Sequence, residues 1–409
     1  MLRVVLAGIG GYGAGYLEAL LSQPEALGAQ LVCAVQPRME RHAEAEARLR
    51  QAGIPVAATL AEAFHVLNIQ ADAVVLATPM QYHFEQCYEA LRRGCHVLCE
   101  KPLTSDYSQA LILEKLAAEN HLQLAVAYQH CFSKAMLDLK RDVTQGRFGK
   151  PVSMRALSLS GRSDLYYQRN HWAGRFYDDE GRLIMDGVLH NAASHSLQSL
   201  LFLLGEDGLD SAAQVEALRG EWCRAHAIQS YDTAVVRIRT RECPSVLMAA
   251  THNWAGKDTH RYRYVWEHGY AEGDWDADPR LTVRAEDGLI DYGDCACTVA
   301  EKLKIFLDCL RENRPVPCSV HAAKAEVAVC TGMYLSAGWI RAMPTHELQL
   351  VRGAAGTPDE GGIFPTSQRL TELLTQCYQK GKLPSELGGL LGGESKEVTM
   401  EKILHGVES

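Results

Sequence analysis

Five short apolar runs open the chain, at residues 4–7, 31–35, 73–77, 96–99 and 122–127, and segments of helical period separate them. Ala14, Leu17, Leu20 and Leu21 mark one amphipathic stripe, and Phe84, Cys87, Ala90 and Leu91 mark another. Apolar strands alternating with such helices predict a parallel sheet covered on both faces, an α/β arrangement. Its βαβ units are right-handed and present ligands at the carboxyl ends of the strands. After Gly149-Lys150-Pro151 the pattern changes to period two, over 152–159, 232–238, 246–251 and 261–266. That change predicts an α+β domain with a mostly antiparallel, open-faced sheet. Helices are expected over 183–204, 298–312 and 367–380, and no internal repeat is visible. The chain thus divides into an N-terminal domain (1–128), a second domain (129–340) and an extension (341–409). Gly388-Gly389 and Gly392-Gly393 suggest that the last thirty residues form a surface tail or an assembly arm.

Composition narrows the class. With 47% hydrophobic and 22% charged residues the chain is globular, and its 409 residues exceed one core. A net charge of -9 argues against a nucleic-acid partner. No apolar run reaches the roughly 20 residues needed to cross a bilayer, and no signal peptide precedes the first strand. A cytoplasmic protein is expected. The 13 cysteines are scattered, which predicts free buried thiols, and Cys295 with Cys297 lacks a second ligand pair at zinc spacing. No metal site is expected.

Candidate chemistry begins at Gly8-Ile9-Gly10-Gly11-Tyr12-Gly13, between the first strand and the first helix. This is the context in which G-x-G-x-x-G cradles a dinucleotide: Gly8 for the tight turn, Gly10 for approach of the pyrophosphate, Gly13 for helix packing. The first domain is therefore read as a Rossmann domain for NAD or NADP. Its second strand ends in Gln36 where an acid normally binds the ribose. With Arg38 able to pair with a 2′-phosphate, NADP is slightly favoured.

Glu100-Lys101-Pro102 follows the strand over 96–99, where side chains reach the ligand end of the sheet. Together with Thr78-Pro79, His83, Ala90-Leu91 before Gly94, residues 146–151, Tyr231-Asp232-Thr233, residues 306–309 and Arg314-Pro315, these motifs resemble the glucose-fructose oxidoreductase and inositol dehydrogenase family, called Gfo/Idh/MocA. The resemblance implies a Rossmann domain joined to an α/β domain whose open sheet mediates homodimers or homotetramers. It implies hydride transfer between nicotinamide and a carbinol carbon of a sugar or polyol. It also implies that Lys101 lies beside the nicotinamide while Thr78, Pro79, His83 and Glu100 line the cofactor.

The family carries a D-x-x-x-H pair on the first long helix of its second domain, which places both side chains on one face. Two registers offer it: Asp186 with His190 keeps the residue types, and Asn191 with His195 keeps the distance to Leu203-Leu204-Gly205. The second register is favoured, so Lys101 and His195 are expected to share proton handling, with Asp186, His190 and Asn191 orienting the substrate. Tyr167, Arg169, Asn170 and Trp172 offer aromatic faces and hydrogen bonds suited to a sugar. Two alternatives remain open: an NAD-dependent glycosidase of the same fold, and a non-catalytic nucleotide- or sugar-binding regulator.

Overall fold

A computed structural model of the chain describes residues 1–389, 391 and 394–405. It divides into two compact units, the first comprising Met1–Thr104, Gln109–Ser133 and Ala296–Ala323, the second Ser105–Ser108, Lys134–Cys295 and the chain from Lys324 on.

In chain order the first part runs β1 (Leu2–Ala7), α1 (Gly13–Ser22), α2 (Pro24–Leu27), β2 (Ala29–Val35), α3 (Ala43–Gln51), β3 (Val56–Ala57), β4 (Ala73–Leu76), α4 (His83–Arg92), β5 (His96–Cys99), α5 (Tyr107–Glu119) and β6 (Leu124–Val126). The strands form one parallel sheet in the order β3-β2-β1-β4-β5-β6, the doubly wound dinucleotide-binding topology. Val4, Val5, Leu6 and Ala7 are all buried because helices cover both faces, so these strands read as unbroken apolar runs. The two-residue β3 is too short to show a period and escaped the sequence reading.

After α6 (Lys134–Thr144) come β7 (Pro151–Leu159), α7 (Asp164–Gln168), α8 (Ser194–Leu204), β8 (Val215–Arg224), β9 (Thr233–Thr240), β10 (Val246–Thr251), β11 (Thr259–Trp266), β12 (Gly269–Asp274), β13 (Arg280–Ala285) and β14 (Gly288–Asp294). The chain then forms α9 (Val299–Glu312), α10 (Val320–Ser336), β15 (Arg341–Ala342), the hairpin β16 (Gln349–Arg352) and β17 (Ile363–Thr366), α11 (Gln368–Lys380), β18 (Val398–Thr399) and α12 (Met400–Leu404). The second unit is built on a sheet ordered β14-β13-β12-β11-β7-β10-β9-β8-β15, with β18 beside β8. It is antiparallel except at β7–β10 and β8–β15.

Four expectations are corrected. Residues 296–323 belong to the first unit, because α9 lies on α1, where a Cβ on Gly15 would sit 3.3 Å from Val299, and Arg311 donates to the Leu27 carbonyl. The face expected to be open is covered at its centre by α11: Leu370, Leu374 and Cys377 pack with Leu157, Leu159, Val235, Leu247 and Ala249. The extension is not a surface tail, since Leu383, Leu391, Val398 and Ile403 are buried and β18 pairs with β8; the Gly392-Gly393 pair lies outside the described residues. Lastly, the helix expected over 183–204 begins only at Ser194. Met185 takes φ 54°, and a Cβ on Gly187 would lie 2.3 Å from the Tyr231 ring, so the chain before α8 is held in turns.

Ten of the eleven residues of α8 are buried, and only His195 is not, which makes this helix a core element. Its end is closed by Lys140, whose buried Nζ donates to the carbonyls of Phe202 (2.5 Å), Gly205 (3.2 Å) and Ser211 (2.8 Å). A cation is favoured at a helix C-terminus because the last carbonyls lack partners. Asp232, at the start of β9, accepts from the N–H groups of Ala225 and His226 (both 2.8 Å) and from His226 Nδ1 at 2.7 Å. Burial opposes its charge, yet the bonds from His226 outweigh that and hold its pKa below the ordinary carboxylate value.

Replacing Lys140 with Met should cost about 3 kcal/mol in urea unfolding, because three carbonyls lose a buried charged donor. For Asp232 the lowered folded pKa means that its stabilisation is complete above the unfolded value, about 3.9, and fades as pH falls through the folded value. The thermal midpoint of Asp232→Asn should therefore lie well below wild type at pH 7, with the difference shrinking below about pH 4.

Candidate active site

In the first unit the turn after β1 leaves no room for side chains. Gly8 has φ 84°, and a Cβ there would lie 2.3 Å from the Ala77 carbonyl oxygen; one on Gly13 would lie 2.1 Å from that of Gly8. Gly11 has φ 53° and open space. The N–H groups of Gly10, Gly11 and Tyr12 donate to no backbone carbonyl among the described residues, which leaves them for phosphate oxygens at the start of α1. Ile9 contributes only backbone, its side chain being buried. The turn therefore fits a dinucleotide. The His42 ring stands over Gly10, 2.5 Å from the position of a Cβ, and was not anticipated from the sequence. Gln36 follows β2 directly, and Arg38 is exposed.

Beyond β5, Glu100 is a hub. Its Oε1 accepts from Tyr16 Oη (2.7 Å) and from Lys302 Nζ (2.8 Å), and its Oε2 accepts from the Lys101 N–H (3.2 Å). Lys302 is itself buried, donates also to the Ala127 carbonyl at 3.1 Å, and lies 5.0 and 5.5 Å from the rings of Tyr12 and Tyr16. Burial first, then the Glu100 carboxylate, pushes the Tyr16 phenol well above its ordinary pKa. Lys101 is only partly buried, and the Lys101–Pro102 peptide is cis. His83 is buried with Nδ1 2.7 Å from the Pro102 carbonyl and Nε2 2.9 Å from that of Thr78. Burial lowers its pKa although both carbonyls favour the cation, so the neutral ring donates to one of them. Glu100 and His83 are thus braces of the Lys101 turn, with their polar atoms already engaged. Thr78 Oγ1 donates to Gln86 at 2.5 Å, and Pro79 is exposed.

In the second unit the two histidine registers part. Asp186 is buried and accepts from the Gly174 N–H (2.7 Å) and from Asn191 Nδ2 (2.8 Å); the same amide nitrogen lies 3.2 Å from Tyr166 Oη. Burial raises the Asp186 pKa above the carboxylate norm despite those donors. His190 turns away, fully buried, with Nδ1 3.0 Å from Glu326 Oε1. Neither expected pair shares a helix face, because Asp186, His190 and Asn191 all precede α8. His195 stands in the first turn of α8, partly exposed. Arg169 lies 3.7 Å above the Tyr166 ring and 5.9 Å from Trp172, a stacked cation–aromatic group. Asn170 Oδ1 accepts from the N–H groups of Trp172 and Ala173, so its side chain shapes the loop. Tyr167 lines a cavity of about 360 Å³ with Asp164, Gln168, Arg175, His226 and Gln229. His252, beside Tyr166, stays neutral: burial, then Arg162, lowers its pKa to about 3.

Residues 2–128 match the family described as an oxidoreductase family with an NAD-binding Rossmann fold. Over these residues the chain is similar to the Gfo/Idh/MocA oxidoreductases. The inositol 2-dehydrogenase of Mycolicibacterium smegmatis is 33% identical over 37% of this chain and 42% of its own length. Across the first relatives of this kind the match spans about half of their length, 42% to 55%. The UDP-N-acetylglucosamine 3-dehydrogenase of Acidithiobacillus ferrooxidans is 28% identical over 79% of the chain and 96% of its own. In fold, the chain resembles the WlbA dehydrogenase of Bordetella pertussis, solved with NADH and UDP-GlcNAcA, with a TM-score of 0.65 and 22% identity over 82% of this chain and 95% of that one. Among the described residues no helix is long and apolar enough to cross a membrane.

Around Glu100 the unforeseen residues are Tyr16 and Lys302. A signal for Lys302 existed: it falls on the stripe of α9 that also carries Leu303, Phe306 and Leu307, where a charge needs a buried partner. Nothing in the sequence paired it with Glu100, 202 positions away. Lys302→Met, which leaves the Glu100 carboxylate without its cation, should lower unfolding stability by about 3 to 5 kcal/mol, measured in urea.

Proposed function

We propose that the chain is an NAD(P)-dependent dehydrogenase or reductase acting on a CH–OH group of a sugar, polyol or related hydroxy compound. The observation that carries this reading is the brace on Lys101: Tyr16, Lys302 and Glu100 hold its backbone at the carboxyl end of β5, in a sheet whose ligand end is set by topology. Support for the substrate class comes from the relatives named as inositol and UDP-N-acetylglucosamine dehydrogenases. The nicotinamide, when bound, supplies the acceptor or donor of a hydride.

Gly8, Gly10, Gly11, Tyr12 and Gly13 would hold its pyrophosphate. Gln36 carries no carboxylate to repel a 2′-phosphate, and exposed Arg38 offers it a fork of donors, so NADP is accepted at least as well as NAD. Lys101 and His195 would share the carbinol proton, one accepting it and the other polarising the oxygen. His195 is suited to this because it is the unburied residue of an otherwise buried helix. Asn191, held by Asp186, would orient the substrate with Tyr167, Arg169 and Trp172 nearby in the chain. All thirteen cysteines are free, which suits a cytoplasmic setting. A homodimer or homotetramer is proposed, using the β11–β14 part of the sheet, since α11 covers β7 and β10.

The test is a 340 nm screen of sugars and polyols with NAD and NADP, followed by Lys101→Met on the best substrate. Turnover should fall roughly 100-fold, the scale of lost general acid–base assistance, while the nucleotide Kd changes little. Unchanged turnover in that variant, or glycoside cleavage without net nucleotide reduction, would reject the assignment.

A further inference from the structure

A second group of chemistry-bearing side chains lies within the core of the second unit. Glu326 and Cys330 stand four residues apart on α10 and so share one face. His190 reaches them from the turn before α8, and one donor atom from each of the three lies within 4.8 Å of the others. His190 Nδ1 is 3.0 Å and Cys330 Sγ 3.3 Å from the same carboxylate oxygen, Glu326 Oε1. Exposure is 0% for His190 and Glu326 and 1% for Cys330 and Tyr231.

Charge and hydrogen bonding are left incomplete there. Among the described residues no lysine or arginine pairs with the buried Glu326, and His190 is its ion partner. His190 Nε2, Glu326 Oε2 and Tyr231 Oη are all buried without a hydrogen-bond partner. Three orphaned atoms of interacting residues are unusual for a folded core, where such groups are paired or meet an ion or water. A proton shared between His190 and Glu326 would leave all three as they are.

We propose that His190, Glu326 and Cys330 bind one divalent transition-metal ion, with zinc preferred. One nitrogen, one oxygen and one sulfur donor form a set that zinc takes in tetrahedral geometry. Bond lengths of about 2.0 to 2.3 Å put such donors roughly 3.3 to 3.6 Å apart; the Nδ1–Oε1 and Sγ–Oε1 spacings of 3.0 and 3.3 Å are within a few tenths of an ångström of that, and the three donors lie within 4.8 Å of one another. A dication also balances a carboxylate and a thiolate in a site closed to bulk solvent. The fourth position falls to Tyr231 Oη or a water. Such a site is structural, taken up on folding, and separate from the hydride chemistry proposed above.

The experiment uses the full chain, expressed with zinc and then with cobalt, and passed over a weak chelator. Mass spectrometry of the metal should give about one zinc per chain, and the cobalt form should show a near-ultraviolet thiolate-to-cobalt band that Cys330→Ser removes. If that variant does not fold, X-ray absorption of the wild-type zinc protein should show a single sulfur ligand. The proposal fails if wild type retains less than about a tenth of an equivalent of any transition metal and gives no cobalt spectrum. It fails equally if the band survives in Cys330→Ser, or if absorption shows no sulfur. None of these readouts depends on turnover.

Discussion

A partly buried carboxylate with its charge balanced at short range organises the nucleotide-binding unit. Glu100 sits where the chain leaves β5, and its oxygens are taken by a phenol from α1, an ammonium from α9 and the N–H of the next residue. Two elements distant in sequence, α1 and α9, are thereby tied to the peptide that carries Lys101. Such a pair is costly to desolvate, and removal of either partner leaves an unbalanced charge, so the arrangement is retained as a unit. His83 holds the other side of the same turn through the Thr78 and Pro102 carbonyls. Lys101 is thus positioned by neighbours that do not themselves reach for a ligand.

The second unit solves a different problem. A large sheet must bury two faces, and here α8 covers one while α11, from the C-terminal extension, covers the centre of the other. The extension is therefore part of the core, and β18 prolongs the sheet beside β8. Within this packing, polar groups are held in closed sets: Lys140 on the end of α8, Asp232 with His226, Asp186 with Asn191. The group formed by His190, Glu326 and Cys330 differs because orphaned atoms remain around it.

The family comparisons and the geometry agree on the first 128 residues and add less beyond them. The family model stops at residue 128, while the likeness in fold covers 82% of the chain. The structure alters the picture most in the loops before α8. Asn170 proves to be a turn former, Arg169 a cation stacked on Tyr166, and the aspartate–histidine pair dissolves into separate partnerships.

What the sequence determined alone was the order of elements and the glycine turn. Apolar periodicity reports burial directly, and Gly8 and Gly13 are demanded by contacts with backbone a few ångströms away. It also indicated the α9 and α11 helices, whose caps, Thr298 and Ser367, are local. Tertiary structure alone decided which charges meet. Lys302 with Glu100 and His190 with Glu326 are pairs separated by 202 and 136 positions, and no local pattern encodes them. Likewise the helix expected over 183–204 was shortened by the Tyr231 ring against Gly187, a contact made across the fold. Periodicity measures how a segment faces its surroundings; it carries no information on which distant side chain supplies those surroundings.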